Sequence, residues 1–313
     1  MKRATQARYL GVVAVGCFFF TSLFAQGQTI FVSNEGLPQY QGVPPYIEEF
    51  NSSGTGTVFA SGYTPGGLAF DSSGNLYVAN EFAGTILKYD SSGTGTVFAS
   101  GLNFPEGVAF DSSGNLYVAT AGVGAGTIEK FNSSGTGSLF ATNLPMQSFP
   151  IAVDSRGNVY SASFLFSGTP IWKFDPNGNQ SVFVTNSASL GLRGAAGMAC
   201  DSSGDLYVSY ETSNVIEKFD SSGNGTVFAS GVGNTHGLAF DSNGNLYATY
   251  GNGIEKFNSN GNMTVFADFP TAGLYNPTFI AVAPVPEPAT DFMVAVGIIG
   301  LLASRYFGAK DRP

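Results

Sequence analysis

Hydrophobic positions along this chain fall in short blocks, and polar turn residues punctuate them. The clearest unit is residues 107–120, GVAFDSSGNLYVAT, two apolar runs joined by Asp-Ser-Ser-Gly-Asn. Close copies stand at 67–80, 197–210 and 237–250, and a looser one at 150–163. Runs of this length, rich in Val, Phe, Tyr and Ala and bounded by turn residues, predict strands. In the turn, the Asp side chain can close an Asx-turn and Gly takes the positive φ. The motif lacks the acidic ladder and terminal Glu of a calcium loop, so it is read as turn chemistry.

Four classes of strand alternate. They are GLAFD-like (107–111), LYVAN-like (76–80), IxKFD-like (86–90) and TVFA-like (96–99), and each class occurs six times. The motif aspartates Asp71, Asp111, Asp154, Asp201 and Asp241 are spaced 40, 43, 47 and 40 residues apart. Four strands in such a period describe a propeller blade. The expected fold is therefore all-β: a six-bladed β-propeller with four antiparallel strands per blade. The order is offset, because the chain opens on a second-class strand, 30–34, and ends on a first-class one, 279–283. Those two should pair and close the ring, which removes its exposed edges.

The run PEGVAFDSSGNLYVAT followed by TIEKFNSSG resembles NHL-type repeats and the related six-bladed propellers of the gluconolactonase (senescence marker protein) superfamily. The resemblance covers roughly residues 29–284, within a propeller domain expected at 28–284. It implies the fold; the scaffold hosts lactonases, lyases and binding modules alike, so it does not choose among them.

Both ends read as sorting segments. Residues 1–27 have a basic start (Lys2, Arg3, Arg8) and an apolar run from Leu10 to Phe24, the layout of a signal peptide. Cleavage is expected after Gly27, or alternatively after Ala25. Residues 285–313 hold Pro286-Glu287-Pro288, the apolar run 292–303, then Arg305, Lys310 and Arg312. This order resembles a PEP-CTERM sorting signal, with Arg305 opening its basic end. The resemblance implies recognition by an exosortase in the inner membrane of a Gram-negative bacterium that makes exopolysaccharide. The apolar run is short for a permanent span. A transient membrane association through a C-terminal helix is expected, with the protein in the cell envelope or outside the cell.

Charge narrows the partners. The 313 residues carry a net charge of −9, and six of the 13 basic residues lie in the two terminal segments, so the central body is more acidic still. Nucleic acid is disfavoured, because little basic charge is left to neutralise phosphates. The two cysteines, Cys17 and Cys200, make no disulfide framework. Cys200 stands where other repeats have Phe70, Phe110 and Phe240, which predicts a small buried hydrophobe.

Candidate chemistry sits at one mouth of the ring, where residues before the first strand and after the second share a face and the repeats differ. Glu106 and His236 occupy equivalent positions three blades apart, and Asn34, Glu35, Asn80, Glu81 and Glu211 follow second strands. Glu35, Glu81, Glu106, Glu211, Asn34 and Asn80 are candidate oxygen ligands for Ca²⁺ or Mg²⁺. A metal-bound water there would open a lactone, with Glu106 and His236 as the candidate catalytic residues. The bland alternative is solvated loop charge on an acidic protein, and it is favoured. His236 is the only histidine, which excludes a three-His zinc site and with it the zinc-lyase reading of NHL propellers.

The recurrent Lys88, Lys130, Lys173, Lys218 and Lys256 read as one exposed or snorkelling position per blade. Trp172 and Tyr40 are candidates for stacking on sugars, and the insertions at 34–46 and 184–196 for binding loops. The expected function is a non-catalytic binding or structural module, with extracellular polysaccharide or an envelope protein as partner. The alternative is a metal-dependent lactonase-type hydrolase.

Overall fold

A computed structural model describes residues 28–34, 44–121, 126–144, 150–163, 170–185, 194–210, 213–251, 253–268 and 277–285. The expected signal peptide, the Pro-Glu-Pro motif with its apolar and basic followers, Tyr40, Glu35 and Glu211 lie outside these residues. The described residues form 24 strands in six four-stranded sheets, each an antiparallel meander. This is a six-bladed β-propeller. The inner strands of blades two to six are Pro65–Phe70, Pro105–Phe110, Ile151–Val153, Ala195–Cys200 and Thr235–Phe240.

Blade one is built from both ends of the domain. Pro277–Val282 pairs with Ile30–Asn34, with Ile30 opposite Val282 and Val32 opposite Ile280. Tyr46–Phe50 and Gly56–Ser61 complete that sheet. The ring closes as the strand order implied, with the closing strand starting two residues earlier than expected. Ala283 lies beyond it and donates its N–H to the Thr29 carbonyl at 2.9 Å.

The DSSGN turns are Asx-turns. Asp111 Oδ1 accepts from Ser113 N and Asn115 N at 2.9 and 2.8 Å, and Asp111 Oδ2 accepts from Asn115 Nδ2 at 2.8 Å. Gly114 takes φ 81°. The same cap recurs between third and fourth strands, as at Asp90 and Asn132. Each Asp is thus occupied by N–H donors, which is what the turn reading requires.

Above these turns the strand-three lysines are only half snorkelled. Lys130 Nζ lies 4.9 Å from the centroid of the Tyr117 ring, directly across the ladder, and 3.8 Å from Asp111 Oδ2. Blade five repeats this with Lys218, Tyr207 and Asp201, and Asp205 adds a contact at 2.9 Å.

An aromatic relay holds the blades together. Phe98, on the fourth strand of blade two, meets Tyr77 of its own blade edge-on at 4.9 Å and Phe131 of blade three at 6.2 Å. Phe183 and Phe228 make the equivalent contacts between blades four and five and between blades five and six. Such pairs add roughly 0.5–1.5 kcal/mol each beyond burial. A register shift in every third-to-fourth strand pair makes room for this Phe: Ile86 opposes Ala99 but Leu87 opposes Val97, leaving Phe98 as the extra residue. These bulges also kink the outer edge strand, which discourages edge-to-edge pairing.

Cys200 is free and half-buried, packed against the cluster between blades four and five. Burial pushes its thiol pKa up, as expected for a structural thiol. Trp172 packs into the interface of blades three and four, and its buried indole Nε1 has no partner. Its ring is thus partly buried in the wall between the blades and partly exposed.

Candidate binding site at the mouth of the channel

Inner strands approach one another so closely near the axis that four of the six blades place a glycine there, Gly67, Gly107, Gly197 and Gly237. A Cβ on Gly237 would lie 2.6 Å from the Thr278 carbonyl oxygen of the next inner strand. At the mouth the channel is lined by Gly67, Gly107, Pro150, Gly197, Gly237 and Phe279. Deeper rings are apolar, among them Leu68, Val108, Ile151, Met198, Leu238 and Ile280, and the turn end opens to about 330 Å³.

Glu106 and His236 each sit at a second bulge. Pro105 opposes Thr120 and Val108 opposes Val118, so Glu106 and Gly107 together face one residue. Thr235 opposes Tyr250 and Leu238 opposes Ala248, which does the same for His236 and Gly237. Bulges leave ladder groups unpaired, and side-chain hydroxyls serve several of them. Gly237 N donates to Thr249 Oγ1 at 2.8 Å, and Thr249 Oγ1 donates to the Thr278 carbonyl at 3.1 Å. Ser209 Oγ donates to the His236 carbonyl at 2.6 Å. The hydroxyls thereby tie neighbouring inner strands together.

The expected site residues scatter over this frame. Glu106 and His236 are half-buried at their bulges, in blades three and six, on opposite sides of the ring. Asn34 closes its strand fully buried, and Asn80 closes the second strand of blade two, half-buried. Glu81 opens the turn that follows, half-buried, and burial raises its carboxyl pKa. Among the described residues no group of three or more His, Cys, Asp or Glu is placed to hold a metal ion. Of the candidate carboxylates, Glu81 and Glu106 belong to no such group, and Glu35 and Glu211 lie outside the described residues.

The same face holds two residues that the sequence reading passed over. Phe82 and Phe104 are 73% and 39% exposed, and their rings meet edge to face at 6.1 Å. The available signal was departure from the repeat: Thr64 and Asn234 stand where blade three has Phe104, and Thr212 where blade two has Phe82.

No family model matches the chain, and no curated protein matches it. Similarity appears among solved structures. The chain superposes on a component of the nidogen/laminin complex with TM-score 0.68 and 17% identity, covering 82% of this chain and 98% of that one. A gluconolactonase from Xanthomonas campestris gives TM-score 0.55 and 16% identity over 79% of this chain and 87% of its own. Virginiamycin B lyase from Staphylococcus aureus gives 0.55 and 16% over 84% and 86%. At these identities the likeness establishes the fold alone. The NHL and gluconolactonase resemblance thus holds at the level of a six-bladed propeller.

Proposed function

We propose that this chain is an exported propeller acting as a non-catalytic binding or structural module, at the cell envelope or in the extracellular polysaccharide matrix. The observation carrying this reading is the asymmetry of its two faces. One face is a set of near-identical Asx-turns whose side chains are consumed in capping. The other bears Glu81, Glu106 and His236, and the solvent-facing pair Phe82 and Phe104. Exposed aromatics on turns held between rigid strands favour recognition. Export through the 1–27 leader and sorting by an exosortase at Pro286-Glu287-Pro288 belong to the same proposal.

A second reading draws on the fold shared with a gluconolactonase. In it, Glu106, Glu35 and their neighbours hold a divalent ion that activates water. One pair of measurements separates the two. The purified exported chain is passed over immobilised exopolysaccharide and envelope protein, and a lactone panel is assayed with Ca²⁺ or Mg²⁺. Saturable retention without metal-dependent turnover is expected. Turnover abolished by Glu106→Gln or Glu35→Gln would overturn the binding-module reading.

A further inference from the structure

One corner of the mouth face breaks the sixfold pattern in both shape and charge. The Phe82 and Phe104 rings stand at 82° to each other. Perpendicular rings offer no common plane for a flat sugar, but they enclose an angle walled by an electron-rich π-face.

The backbone beneath is held from several sides. Gly84, at φ 61°, accepts from Leu102 N at 3.0 Å, which ties the turn of Phe82 to the loop of Phe104. Ala121 N donates to the Phe104 carbonyl at 3.0 Å and Glu81 N to the Thr64 carbonyl at 3.3 Å. Phe104 itself sits at φ 48°, a region that a bulky side chain enters only at a cost. The aromatic corner is therefore preformed rather than a flexible tip.

Charge then selects the occupant. Glu81 immediately precedes Phe82, and no described basic residue forms an ion pair with it. Glu106 follows Phe104 by two residues, and the whole chain is at −9. An anionic polymer is repelled; a cation gains both the ring faces and the carboxylate.

We propose that the Phe82–Phe104 corner, with Glu81 beside it, receives a Lys or Arg side chain presented by a basic segment of a protein partner. This rests on the binding-module reading and names the chemistry of its ligand. The test is titration calorimetry of the full exported chain with a blocked tetralysine peptide, alongside a neutral oligosaccharide. Saturable 1:1 peptide binding that weakens with salt is expected. Phe82→Leu, which keeps apolar bulk and removes the π-face, should weaken it about fivefold or more, and Glu81→Gln similarly. Glu49→Gln removes the same charge from blade one and should leave binding unchanged.

Equal weakening by Glu49→Gln and Glu81→Gln, with no effect of Phe82→Leu, would overturn the site as diffuse charge attraction. Oligosaccharide binding lost in Phe82→Leu but kept in Glu81→Gln would overturn the cation assignment while leaving the binding module standing. Circular dichroism of each variant checks that the fold is retained.

Discussion

Glu48 offers a quantitative test of how the blades pack. It lies on the third strand of blade one, beside Phe50, and is only 4% exposed. Its Oε2 has no hydrogen-bond partner. Burial alone raises its pKa from the ordinary 4.5 to about 7. The folded chain therefore binds this proton more tightly than the unfolded chain between those values. Stability must fall as pH rises from about 4.5 to about 7, and level off above.

At roughly 1.4 kcal/mol per pH unit, the full effect is up to about 3 kcal/mol. Glu48→Gln keeps the shape and cannot ionise. Urea unfolding of both proteins, followed by circular dichroism from pH 4.5 to 7.5, reads the difference. The natural protein should lose about 2–3 kcal/mol more than the variant across that window. Glu217 and Glu255 are buried in the same register, with their pKa values also raised by burial. They remain in both proteins and cancel in the comparison. Parallel pH profiles would refute the claim that an uncompensated carboxyl sits between blades one and six. Glu48→Leu provides a second check, because Leu87 fills the equivalent place in blade two.

Two further outcomes follow from the turns and the closure. Asp111→Ala removes the acceptor for Ser113 N, Asn115 N and Asn115 Nδ2, and thermal unfolding should report a loss of about 1–3 kcal/mol. Burial tends to raise the Asp111 pKa, but these hydrogen bonds and Lys130 outweigh it and leave it lowered. Its contribution is therefore present above the ordinary carboxylate range and vanishes as pH falls through the lowered value. Truncation before Pro277 removes the partner of Ile30–Asn34 and leaves two inner strands without a neighbour. Light scattering should show aggregation; a soluble monomer with native circular dichroism would contradict the closure argument.

The sequence by itself determined the fold. Its period, its four strand classes and its offset ends state six blades and a closing strand, because strand pairing within a blade is local and each repeat carries its own turn chemistry. It also marked Glu106 and His236 as departures from the repeat on the face where a site would stand.

Only tertiary structure decided what surrounds each departure. Trp172, a candidate for stacking on sugars, stays partly exposed, but only the structure shows that it packs against the cluster between blades three and four. The repeated lysines were legible as exposed or snorkelling positions, but their Tyr ring partners across the ladder came only from the structure. The bulge that sets Phe98 follows from fitting a ring between neighbouring sheets, and those that set Glu106 and His236 lie at the crowded inner strands, so all are read from three-dimensional pairing. Phe82 and Phe104 come from different blades, 22 positions apart, and their meeting is a property of blade-to-blade packing. Repetition specifies what is shared among blades; a site arises where unlike residues from neighbouring blades face each other, and that is set by three-dimensional contact.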